Sequence, residues 1–190
     1  GWRERGGQSQ HVDAHPDAGI LVATSDGKRF LTGGDDGRII ATSADGTDET
    51  LADDKGRWIT ALTARKAGAY AWSVGKVVKT RDARGQEATL ETSSTVQGLA
   101  FAPKGYRLAA SHYNGVSLWF PAVENGLESL SWKGSHLDVT ISPDNNYFVT
   151  STQENTLHGW RLNDGKDMRM AGYPSKCRSF RARCAGSGVP

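Results

Sequence analysis

Val96-Gln-Gly-Leu-Ala-Phe-Ala-Pro103, Tyr106-Arg-Leu-Ala-Ala-Ser111 and Gly115-Val-Ser-Leu-Trp-Phe120 follow one another with only short polar turns between them. Apolar residues recur at every second position, as in Leu99 and Phe101 and again in Leu118 and Phe120. A period of two puts such side chains on one face of an extended chain, and the runs are too short for helices. Ala102-Pro103-Lys104-Gly105 separates the first two runs. Proline fixes φ for the second position of a turn and glycine accepts positive φ, so this tetrapeptide predicts a tight reversal.

The same unit occurs four times. The first runs from Gly19 to Thr42, the second from Trp58 to Thr80, and the fourth from Leu137 to Leu162. Aligned on the end of the second strand, the markers are Gly34, Ser73, Ser111 and Ser151, at spacings of 39, 38 and 40 residues. Near-equal steps of this size mark a repeat architecture, in which each unit buries its apolar face on a neighbour. A fourth strand per unit is fainter: Glu49–Leu51, Ala88–Glu91, Leu127–Ser131 and Met168–Ala171 are weakly apolar, as suits an exposed sheet edge. The pattern predicts an all-β fold of four-stranded antiparallel units over residues 12–172, divided at about 12–54, 55–93, 94–134 and 135–172. Residues 1–11 read as an irregular N-terminal segment, and 173–190 as the start of an incomplete fifth unit with an irregular tail.

Composition narrows the partners. The 190 residues carry 23 basic and 21 acidic side chains, a net charge of +2, which gives no general attraction to nucleic acid or an anionic membrane. No apolar run approaches the ~20 residues that cross a bilayer. Gly1-Trp-Arg-Glu-Arg-Gly-Gly7 lacks the apolar stretch of a signal peptide, so a cytoplasmic location is expected. Cys177 and Cys184 are too few for a disulfide framework and lack the paired spacing of a zinc site.

The third and fourth units resemble WD repeats. Leu118-Trp119 and Gly159-Trp160 stand where that family places its Trp-Asp ending, with Phe120 and Arg161 in place of the Asp. Ser142-Pro143-Asp144 matches its turn between the first two strands, and Gly134-Ser-His136 resembles its Gly-His element. In the first unit His15 fits the His position and Ala41 the Trp position, and in the second Lys79 stands near the Trp site. The resemblance implies a β-propeller of four-stranded antiparallel blades, about four in this chain, as a half-propeller or open array. It implies a structural hydrogen-bond relay through His136, Ser151 and Trp160. It also implies a non-enzymatic scaffold, without cofactor, that binds other proteins or peptides through its rim and channel. In that family the rim is built by the loops leading into each first strand and joining the second strand to the third. The rim candidates are therefore Arg57, Trp58, Gln97, Tyr113, Asp138 and Gln153, with Trp72 expected near the same rim as Trp58.

Other chemistry is thin. His11-Val-Asp13-Ala-His15-Pro-Asp17 alternates metal-ligand types, but no second ligand cluster accompanies it. Gly33-Gly-Asp-Asp-Gly37 lacks the helix and lysine of a phosphate loop and reads as a turn between strands. Lys176-Cys-Arg-Ser-Phe-Arg-Ala-Arg183 is a short basic run of the kind that is usually solvated. No nucleophile motif appears, and the first-strand starts read Ala18, Trp58, Gln97 and Asp138, not the converging His, Asp or Glu of a channel enzyme. Two alternatives to the binding scaffold stand: a site for a small molecule or reaction in the channel, and a block that assembles with copies of itself. An unclosed array is expected to expose Ile20 and Val22 at one flank and Val139 and Ile141 at the other, so that a second copy or further blades close the ring.

Overall fold

The computed structural model describes residues 11–66, 68–172 and 174–177. Their secondary structure is all β, in three antiparallel sheets. The first sheet is β1 (Ile20–Ser25), β2 (Phe30–Gly34), β3 (Arg38–Thr42) and β4 (Asp48–Asp53), paired in chain order. The second is β5 (Ala61–Ala64), β6 (Tyr70–Val74), β7 (Val77–Arg81) and β8 (Glu87–Glu91), again in chain order. The third holds β9 (Gly98–Phe101), β10 (Leu108–Trp119), β11 (Leu127–Ile141), β12 (Tyr147–Thr152), β13 (Leu157–Arg161) and β14 (Asp167–Met170). The faint outer runs are thus strands, and β14 is exposed along its whole length.

Four separate units were expected, whereas β10 and β11 each run on without a break. Both change partner midway. Leu108–Ser111 pairs with β9, and the stretch from Tyr113 to Trp119 pairs with β11. Leu127–Ser135 of β11 pairs back on β10, while His136–Ile141 pairs with β12. Each also folds back on itself. Residues five apart on an extended strand lie ~16 Å apart, yet His112 Nε2 is 3.0 Å from Ser117 Oγ. The reversal falls at Asn114 (φ 65°) and Gly115 (φ 145°). A Cβ on Gly115 would stand 2.1 Å from the Leu130 carbonyl oxygen, so only glycine lets the two backbones approach. Gly134 (φ 122°) marks the corresponding bend in β11.

Three apolar cores lie between successive layers. Leu31, Ile39 and Ala41 meet Ile59, Tyr70, Trp72 and Val74. On the other face of the second sheet, Ala61, Ala71 and Val78 meet Val96, Leu99, Leu108, Ala110 and Trp119. Ala102, Ala109, Val116 and Leu118 then meet Val139, Ile141, Phe148 and Trp160. The innermost strands follow in file, β1 beside β5, β5 beside β9 and β9 beside β11.

These faces correct three expectations. Val139 and Ile141 are buried in the third core and Val22 packs against the first, so of the four flank residues only Ile20 is exposed. The exposed large apolar residues of the first sheet are Ile20, Leu21 and Phe30, and those of β14 are Met168 and Met170. Gly33, not Gly34, takes the place of Ser73: a Cβ there would strike Ile59 of the second layer, whereas one on Gly34 would strike His15 on the opposite face. The same shift of one residue puts Thr42, paired with Phe30, where Trp160 pairs with Phe148, while Ala41 faces the first core. Alternation makes the cause plain, since one residue of slip exchanges the faces of a strand.

Candidate functional site

The rim candidates divide into three places. Tyr113 and Gln153 line one cleft of about 460 Å³ with Trp132, Lys133, Glu154 and Arg169. An adjoining cleft of about 510 Å³ shares Tyr113, Trp132 and Lys133 and adds Asn114 and Ser131. Gln97 and Asp138 line a separate cleft of about 390 Å³ along the innermost strands, with Val22, Ala61 and Leu99. Gly98 makes that closeness possible, because a Cβ there would lie 2.8 Å from Asp138 Cα. Arg57 and Trp58 line none of these clefts, and Trp58 stands 64% exposed.

Backbone hydrogen bonds fix the ends of the strands. Ile59 N–H donates to Gly34, Thr60 N–H to Ser73, and Gln97 N–H to Ser111. Each bond ties the segment leading into a first strand to the end of a second strand. Trp72 is buried in the core between the first two sheets, and its indole N–H donates to Asp54 Oδ2 at 2.7 Å. Lys79 also pairs with Asp54, whose side chain is almost wholly buried.

Trp132 is the aromatic that sequence reasoning missed. It lies in Ser131-Trp-Lys-Gly-Ser135, a polar stretch with no alternation to single it out. In the structure one face of its indole stacks on the buried His158 imidazole, at 4.0 Å between centroids. The residue is still partly exposed and lines both adjoining clefts.

The relay is corrected at its middle member. His136 Nδ1 lies 2.7 Å from Thr150 Oγ1, and Ser151 Oγ is buried without a hydrogen-bond partner. Val139 and Ile141 share with Thr150 the face turned to the third core, so Ser151 points the other way. Trp160 joins through its ring, 5.8 Å from His136 and 4.1 Å from His158. His136 Nε2 is 3.0 Å from the Trp132 carbonyl. That oxygen only accepts, so Nε2 carries the proton and Thr150 donates to Nδ1. At His15, Nδ1 donates to the Asp36 carboxylate at 3.0 Å, and Nε2 lies 2.9 Å from the Thr32 hydroxyl, which itself donates to the Ile40 carbonyl.

Charge is tuned at both places. Burial works against the Asp36 carboxylate, but the Arg38 N–H, the His15 imidazole and the Arg38 guanidinium hold it below the usual range. Burial pushes His136 below the ordinary imidazole value and His158 down to about 4. Asp167 opposes the shift at His158, whereas His136 and Arg169 add to it.

His11–Asp17 precedes β1 outside any strand, so its alternation does not align the four side chains, and His15 is committed to Asp36 and Thr32. Among the described residues no group of three or more His, Cys, Asp or Glu comes together to hold a metal. In Gly33–Gly37 the two glycines Gly33 and Gly34 end β2, and Asp35, Asp36 and Gly37 form the turn to β3. Residues 1–10, most of 173–190 with Cys184, and most of the basic run lie outside the described residues. Among the described residues no helix is long and apolar enough to cross a membrane. No protein-family model matches the chain, and no curated protein matches its sequence.

Proposed function

We propose that the chain forms four successive β-propeller blades of the WD-repeat kind and acts as a non-enzymatic module that binds extended protein or peptide segments. The blade reading is supported by the partner change and reversal within β10 and β11, which divide the third sheet into two four-stranded units. The file of innermost strands β1, β5, β9 and β11 suits a propeller channel.

One observation carries the binding reading: Tyr113 and Trp132, both exposed, line two adjoining open clefts together. Exposed aromatics at a concavity are the residues that anchor interfaces. His158 braces the back of Trp132, so the indole loses little freedom when a partner covers it. Lys133, Glu154 and Arg169 supply both signs of charge, and Gln153 and Asn114 supply amide donors and acceptors around the rings. Open clefts favour an extended segment over a small molecule, which is normally buried over most of its surface.

Peptide-library selection against the immobilised 190-residue chain tests the binding reading. Enriched peptides are expected to lose at least ~10-fold in affinity with Tyr113→Ala, on the scale of an anchor residue. Selected peptides that bind Tyr113→Ala and Trp132→Ala as well as the unaltered chain would remove this cleft as the binding site.

A further inference from the structure

One interface is repeated three times inside this chain, and its two halves are left over at the ends. Tyr70, Leu108 and Phe148 occupy equivalent places 38 and 40 residues apart, and Phe30 holds the same place 40 residues earlier. The three later residues are 5%, 1% and 0% exposed because each sits on the preceding layer, whereas Phe30 is 70% exposed. The opposite face repeats as well. Leu31, Ala71 and Ala109 each receive the next layer and are buried. Their counterpart Val149 is only partly covered, beside Gly159 and the exposed Met168.

In all three internal contacts a face bearing an aromatic ring or leucine meets a face of smaller aliphatic side chains. Tyr70 and Trp72 meet Leu31, Ile39 and Ala41; Leu108 and Trp119 meet Ala71 and Val78; Phe148 and Trp160 meet Ala109, Val116 and Leu118. The Phe30 face is of the first kind and the Val149–Met168 face of the second. They do not meet within one chain, since Phe30 and Met168 are both exposed. The complementary surface for each is therefore present on another copy of the same chain.

We propose that two copies associate head to tail, the Phe30 face of each seated on the Val149–Met168 face of the other. The contact follows from the repeated interface alone. Closure into a ring of eight blades rests in addition on the four-blade reading, and eight lies within the range of closed propellers. In such a two-fold pair both unmatched faces are buried and no open end remains.

Sedimentation of the full chain and of two variants tests this. Phe30→Asp and Met168→Asp alter exposed positions, and circular dichroism establishes that each remains folded. The unaltered chain is expected to sediment at twice its 20.4 kDa mass, and each variant as a single chain. An equimolar mixture of the variants regains pairing, because one of the two contacts in a mixed pair carries neither substitution. A single-chain mass for the unaltered protein at micromolar concentration overturns the proposal. So does a mixture that stays unpaired, or the loss of pairing in one variant only, which denotes contact between like faces. A ladder of ever larger species overturns the closed pair. Neither substituted residue lines the peptide-binding cleft, so its test stands or falls separately.

Discussion

The imidazole of His158 stacks on the indole of Trp132 with 4.0 Å between ring centroids, and both of its nitrogens lack a hydrogen bond. Trp160 packs edge-on at 4.1 Å, and the nearest carboxylate oxygen, on Asp167, is 3.5 Å from Nε2. A histidine held this way is built to be neutral.

Acid should therefore weaken the fold. In the unfolded chain His158 titrates near 6.5, and in the folded chain burial lowers it to about 4. The unfolded state binds the proton first, so stability is full above pH 6.5 and declines as pH falls toward 4, with no further loss from this group below that. His136 shifts in the same direction and adds to the slope. The expected loss is about 2–3 kcal/mol between pH 7 and pH 4.5. Urea midpoints at the two values measure it. His158→Phe keeps an aromatic ring against Trp132 and should flatten the dependence.

Thr150 and Ser151 are adjacent hydroxyls with opposite consequences. Thr150→Val leaves His136 Nδ1 without its donor and should cost about 1–2 kcal/mol. Ser151→Ala removes a buried oxygen that has no partner and should be neutral or slightly stabilising. Equal effects in chemical denaturation would return Ser151 to the relay.

Asp54 links the first two sheets, accepting from Trp72 at 2.7 Å and pairing with Lys79. Asp54→Ala strands a buried indole N–H and a half-covered ammonium, with an expected cost of about 2–3 kcal/mol. Asp54→Asn keeps an acceptor for the indole and should recover part of that loss. A thermal melt compares the two.

Trp58 is the control. With most of its surface in water and no hydrogen bond to the ring among those described, Trp58→Ala should change stability by less than about 0.5 kcal/mol. An effect on partner binding without one on the denaturation midpoint would assign Trp58 to recognition.

The sequence by itself determined that this chain is all β. Alternation such as Leu99–Phe101 and turns such as Ala102–Gly105 are local properties, and they specify strands and reversals wherever the chain later packs. The spacing of the units is equally local, so even the faint outer strands could be placed. Only the tertiary structure decided which face of each strand is buried. Neighbouring residues point opposite ways, and a marker displaced by one position exchanges Ser151 for Thr150, Gly34 for Gly33 and Ala41 for Thr42. The cleft was decided there too. Tyr113, Trp132, Gln153 and Arg169 come from β10, β11, the turn after β12, and β14, and the sheet pairing that gathers them acts between residues too far apart for any period to link.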